Sequence, residues 1–150
     1  MPKLPIGDPE LYYQAAPLLL VPDVTGTADY YRRVLGFVSD PEGASPEYSV
    51  VWRDHAAVHF GRGEKAPSGV RIFFWVKDVD RVHAEVAARG ARVTVAIGTR
   101  PYRIRDFCVE DPNGITLVFG QDTEWGLVGD RADSAIGGFL PTGQRLVWPN

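Results

Sequence analysis

The stretch VRIFFWVKDVDRVHAEVAARG (residues 70–90) reads as one strand, a tight turn and one helix. Residues 71–76 form a short run dominated by Ile, Phe and Trp, and Asp78 or Asp80 can cap the helix that follows. In that helix Val79, Val82 and Val86 lie on one stripe, and Gly90, directly after Arg89, supplies a left-handed stop. A weaker copy precedes it. LLLVPDVTGTADYYRRVLG (residues 18–36) runs in the same order, with Val21-Pro22-Asp23-Val24 aligned on Val76-Lys77-Asp78-Val79 at an offset of 55 residues. Two copies at a fixed offset mean that the chain is duplicated.

Working outward, each copy continues in the same way. The first strand spans about residues 12–21. Thr25 or Thr27 can cap the first helix, Asp29 stands four before Arg33, and Ala28, Tyr31 and Leu35 share a face before Gly36 ends it. Three extended runs follow (37–40, 48–53 and 56–61), and three more follow the second helix (91–97, 102–110 and 115–120). Asp111-Pro112-Asn113-Gly114 joins the last two as a turn. The fold class is therefore α+β: paired βαβββ modules over about 12–61 and 70–121, in a single domain of residues 1–121. Residues 122–150 hold Trp125, Phe139 and Trp148 among Gly and Pro, too apolar for a free linker. They are expected to pack on the domain or on a partner subunit, or to cover the site.

Composition narrows the function. The 150 residues are 45% hydrophobic and 23% charged, with a net charge of -3 and no basic run, so neither nucleic acid nor an anionic membrane is an expected partner. No apolar run reaches the length of a membrane span and no leader pattern opens the chain, so a cytoplasmic location is expected. Cys108 is the one cysteine and sits in an alternating apolar strand, where a small buried thiol is the ordinary role. Phosphate-binding loops, nucleophile elbows and paired zinc cysteines are absent from the sequence.

Three stretches together, LLLVPDVTGTADYYRRVLGF, FFWVKDVDRVHAEVAARGARV and RDFCVEDPNGITLVF, resemble the vicinal oxygen chelate superfamily, which includes glyoxalase I, extradiol dioxygenases and bleomycin resistance proteins. The resemblance implies two modules, each curling a four-stranded sheet around a shared cavity with helices outside, and often a dimer that completes the sites. It also implies metal positions on the first and fourth strands of each module, which fall here on Ala16, His59, Arg71 and Val118. Alanine and valine carry no donor, and a guanidinium stays protonated and repels a cation. One imidazole does not make a metal site, so no metal and no other cofactor is expected. His55, in the turn expected at Asp54-His55, and His83, on a helix flank, do not replace the missing ligands.

What remains is an apolar, aromatic cavity. Alternation from Arg71 turns Phe73 and Trp75 inward; Leu18 and Leu20 face inward on the first strand, and Ala57, His59 and Gly61 on the fourth. Arg71, Trp75, Phe73, His59, Trp52, Phe37 and Tyr102 are the candidate ligand-binding residues, although aromatics at alternating positions are also ordinary core. Arg71 needs an anion: either an internal carboxylate such as Glu110 or Glu47, or a ligand. The expected function is metal-free binding of a small, flat, hydrophobic or aromatic molecule, an antibiotic among the candidates, by a homodimer that sequesters it without transforming it. The alternatives are a metal-dependent lyase, isomerase or dioxygenase, and a metal-free enzyme using His59 as base.

Overall fold

The computed structural model describes residues 14–39 and 45–123. Two four-stranded sheets follow one another along the chain. The first contains β1 (Leu18–Val21), β2 (Val38–Ser39), β3 (Tyr48–Arg53) and β4 (Ala56–Arg62) in the order β1-β4-β3-β2, with helix α1 (Val24–Arg33) between β1 and β2. The second contains β5 (Arg71–Trp75), β6 (Arg92–Thr99), β7 (Ile104–Glu110) and β8 (Thr116–Asp122) in the order β5-β8-β7-β6, with helix α2 (Val79–Ala88) between β5 and β6. In each sheet the first strand runs parallel to the fourth and the other pairings are antiparallel. The order βαβββ, twice, is the duplication expected from residues 18–36 and 70–90. No helix among the described residues is long and apolar enough to cross a membrane.

The same short-range signals that mark the elements also bound them. Asp23 caps α1, its carboxylate accepting from the Gly26 amide at 2.9 Å, and the equivalent Asp78 caps α2 through the Arg81 amide at 3.0 Å. Thr25 and Thr27, expected as caps, lie inside the first turns; Thr27 is buried and accepts from the Asn113 amide at 2.9 Å instead. Gly36 and Gly90 close the helices at φ +74 and +88. Of the strand expected over 12–21, the described part from residue 14 is regular only over Leu18–Val21, and β7 starts at Ile104, because Tyr102 and Arg103 form a turn with Arg103 at φ 65. β8 runs to Asp122; from residue 124 onward the expected tail lies outside the described residues, as does the lead-in before residue 14.

Each sheet buries one face under a helix. Leu19, Val21, Val51, Val58 and Phe60 meet Val24, Ala28, Tyr31 and Leu35 of the first helical layer, while Ile72, Phe74, Phe107, Leu117 and Phe119 meet Val79 and Val86. A chain of rings joins the two layers into one core. Phe60 packs on Tyr31 at 5.0 Å between centroids, Tyr31 on Phe37 at 5.7 Å, Phe37 on Phe74 at 5.6 Å, and Phe74 on Phe119 at 5.2 Å.

Polar ties cross the same junction, the bond from Asn113 to Thr27 among them. Arg53 of β3 donates to the Leu35 carbonyl and to Glu85 of α2, both at 2.9 Å, and holds the Glu85 carboxyl below its ordinary value. The Tyr31 hydroxyl donates to buried Asp111 at 3.0 Å, whose other oxygen accepts from the Asn113 and Ile115 amides.

Burial raises the Asp111 carboxyl above its ordinary value of 3.8, against those hydrogen bonds, which favour the charged form. The folded chain therefore holds that proton more tightly than the unfolded one. Its favourable contribution is complete below 3.8 and fades as the pH rises through the folded value. Asp111→Asn keeps the side-chain shape and cannot ionise, so it should gain stability relative to the parent protein between about pH 4 and about pH 7. Urea denaturation at both values checks this; a stability difference that stays constant or moves the other way refutes it.

Candidate functional site

The face of each sheet turned away from its helix leaves large apolar side chains open; this open face is its cup, and its residues are set by strand register. In the first sheet Leu18, His59 and Val50 form one row, Leu20, Gly61 and Tyr48 the next, and Ala57 and Trp52 a third. In the second, Arg71, Thr116 and Glu110 align, then Phe73, Val118, Cys108 and Val95, then Trp75, Gly120, Asp106 and Gly98. Leu18 pairs with His59 as Phe73 pairs with Val118, so the two cups are equivalent row by row. Large apolar side chains stay open to solvent on both: Leu18 is 55% exposed, Leu20 54% and Phe73 41%. Patches of this kind on a folded chain mark a ligand or a partner.

The first cup holds a hollow of ≈ 300 Å³, floored by Val50, Trp52, Ala57 and His59 and bounded at one end by Asp54, His55 and Gln14. Its size is at the low end for small-molecule sites. Gln14 closes that end by donating its side-chain amide to the His55 carbonyl. His59 meets Tyr48 edge-on at 5.8 Å between ring centroids, and the Tyr48 hydroxyl is hydrogen-bonded to His59 Nδ1.

In the second cup Phe73 and Trp75 pack at 4.5 Å with their rings tilted by 40°, lying over Gly120. Asp106, at the far side of that row, is buried and accepts from Arg100 Nε at 2.7 Å and from the Tyr102 hydroxyl at 3.1 Å. Desolvation, then the bond to Asp106, raises the Tyr102 phenol, so it stays protonated and serves as a donor. Burial and the nearby Asp106 likewise raise the Cys108 thiol above its ordinary value.

The structure thus gathers His59 and Trp52 in one cup and Arg71, Phe73 and Trp75 in the other, with Tyr102 at the rim of the second. Phe37 is in neither. It lies 5% exposed at the junction between Tyr31 and Phe74, because the turn at Gly36 directs it into the core. Neither internal partner expected for Arg71 is available, since Glu110 pairs with Arg92 at 2.9 Å and Glu47 with Arg62 at 2.8 Å. Among the described residues no carboxylate lies within ion-pair distance of Arg71, which stands exposed at the start of β5. Arg105 pairs with Asp80 of α2 at 2.7 Å, outside the cup.

Residues 14–119 match the sequence profile of the Glyoxalase/Bleomycin resistance protein/Dioxygenase superfamily. The chain belongs to that superfamily. A bleomycin-binding protein from bleomycin-producing Streptomyces verticillus, complexed with copper(II)-bleomycin, superposes with a TM-score of 0.63 at 25% identity, over 72% of this chain and 94% of that one. A bleomycin resistance determinant encoded on the transposon Tn5 gives 0.65 at 20% identity over 74% and 98%, and TioX from Micromonospora sp. ML1 gives 0.60 at 21% over 72% and 94%. No curated protein matches the chain.

A superfamily metal would be held at Ala16, His59, Arg71 and Val118, and these residues do not fit one. Two lack donors, one is a cation, and the Nδ1 of the remaining imidazole is engaged by Tyr48. Among the described residues no group of three or more His, Cys, Asp or Glu is placed to hold a metal ion.

Sequence reasoning placed Gly61 on the inward face but missed Tyr48, Asp106 and the bare position Gly120. The hairpin at Asp54-His55 carried a signal for the first: once that turn is set, Tyr48 falls opposite Gly61 and diagonal to His59. A Cβ built on Gly120 would stand 2.4 Å from Phe73 Cζ. Because the Phe73 ring is half-exposed and free to swing, Gly120→Ala should cost less than about 1 kcal/mol. It should nevertheless move Phe73 off Trp75, altering the Trp75 emission and near-ultraviolet dichroism. Thermal denaturation and spectra read against a Trp75→Phe control check both expectations, and an unchanged Trp75 signal refutes the packing described.

Proposed function

We propose that this chain is a metal-free small-molecule-binding protein of the bleomycin resistance type, which sequesters a flat hydrophobic compound, an antibiotic among the candidates, without transforming it. The observation that carries the reading is the pair of open aromatic cups whose metal positions hold Ala16, Arg71 and Val118 beside one imidazole. Trp75 and Phe73 offer a stacking surface, and Arg71, without a carboxylate among the described residues, meets an anionic or carbonyl group at its edge. Two similar structures, one 25% and one 20% identical, contain bleomycin, which supports binding as the general type.

The working unit in this reading is a homodimer. Leu18, Leu20, Trp52, Phe73 and Val95 leave apolar side chains open in both cups, and a second copy over each cup would bury them.

Metal analysis of the purified protein is the direct test, together with light scattering for the dimer. The expected result is a protein without bound metal that takes up planar aromatic anions with quenching of its tryptophan fluorescence. Arg71→Ala should weaken such an anion at least tenfold, about 1.4 kcal/mol. Stoichiometric, tightly held Ni, Zn, Fe or Mn would replace this reading with a metal-dependent lyase, isomerase or dioxygenase, and unchanged anion affinity in Arg71→Ala would remove Arg71 from the site.

A further inference from the structure

Tyr48 stands in the first cup in a way that strand packing alone does not require. It lies opposite Gly61, where a Cβ would stand 3.0 Å from Leu20 Cδ2 but at an ordinary 4.0 Å from Tyr48 Cδ2, so the bare position accommodates Leu20 and the placing of Tyr48 has another cause. The ring meets His59 edge-on, and its hydroxyl reaches Nδ1 of that histidine on the neighbouring strand. A phenol is the stronger acid of the pair and a neutral imidazole nitrogen the better acceptor, so the hydroxyl donates and Nδ1 accepts. The imidazole proton then resides on Nε2. His59 borders the hollow beside Trp52 whereas Tyr48 does not, so with Nδ1 held by Tyr48 the Nε2 edge is the one left to meet a ligand there.

We propose that Tyr48 is a positioning residue that locks His59 as an Nε2–H donor, so that the first cup selects flat aromatic ligands carrying a hydrogen-bond acceptor, a ring nitrogen or a carbonyl, in the ring plane. The ligand half of this inference rests on the cup being a binding site; the tautomer half does not. Trp52 supplies the face on which such a ring stacks, and His59 supplies the one directional contact. The same lock leaves His59 without a free lone pair in its neutral form. It therefore cannot ligate a metal or take a proton from substrate until the bond to Tyr48 is broken.

Two measurements on the full chain decide it. Heteronuclear NMR of the histidine ring nitrogens, with His59→Gln to assign the signals of the three histidines, reads the tautomer directly. The expected result is a protonated Nε2 and a hydrogen-bonded, unprotonated Nδ1 in the wild-type protein, with the Nδ1 signal moving towards that of a solvated nitrogen in Tyr48→Phe. Quinoline and naphthalene, matched in shape and differing by one acceptor nitrogen, then probe the cup by tryptophan quenching at neutral pH. Wild type should favour quinoline about tenfold, and Tyr48→Phe, which keeps the ring, should lose most of that preference while binding naphthalene as before. A protonated Nδ1 in the wild type, or the same quinoline preference in Tyr48→Phe, overturns the proposal. If neither probe binds wild type while the Nε2–H form is observed, the first cup's role as a binding site and with it the selectivity fail, and the tautomer lock stands.

Discussion

A β-strand turns successive side chains to opposite faces, and that alternation is the constraint on which this molecule depends. With a helix laid over one face of each sheet, Val51, Val58, Phe60, Phe107, Leu117 and Phe119 are driven inside, and every residue between them is left to line a cup. The helix side supplies the stability through apolar burial. The cup side then has no obligation to be well packed, which is why Leu18, Leu20 and Phe73 remain open there. A slip of one residue in any strand would exchange the two sets, so the register that protects the core is also the register that presents His59, Arg71 and Trp75.

Among the described residues the two modules share no sheet hydrogen bonds, and what joins them there is packed rather than laddered. Phe37 against Phe74 carries the core across the junction, while Tyr31 to Asp111 and Arg53 to Glu85 fix it in direction. A phenol on a buried carboxylate and a guanidinium on a partly buried one are directional contacts, whereas ring packing tolerates rotation. The relative position of the cups is therefore set by a few residues at the junction, none of which faces a cup.

The sequence showed the fold because its signals are local. The asparagine-glycine turn at 113–114, the stop glycines and the 55-residue offset each report on a handful of neighbours. It misplaced Phe37 because the partners that bury it, Tyr31 and Phe74, come from different modules and meet only after folding. Arg103 adopts φ 65 with no glycine to announce it, which hid the turn that takes Tyr102 out of β7. The partner of Arg71 was undecidable for a related reason. Glu110 sits in the same row as both Arg71 and Arg92, and the directly opposed Arg92 takes it.

Gly61 and Gly120 occupy equivalent positions on the fourth strands, each beneath a side chain from the first strand, Leu20 in one cup and Phe73 in the other. Their consequence is evolutionary. A single methyl added at either place reshapes one cup and leaves the helix-side core untouched, so recognition and stability are written on separate residues. Duplication left two such adjustable floors in one chain, free to diverge one at a time.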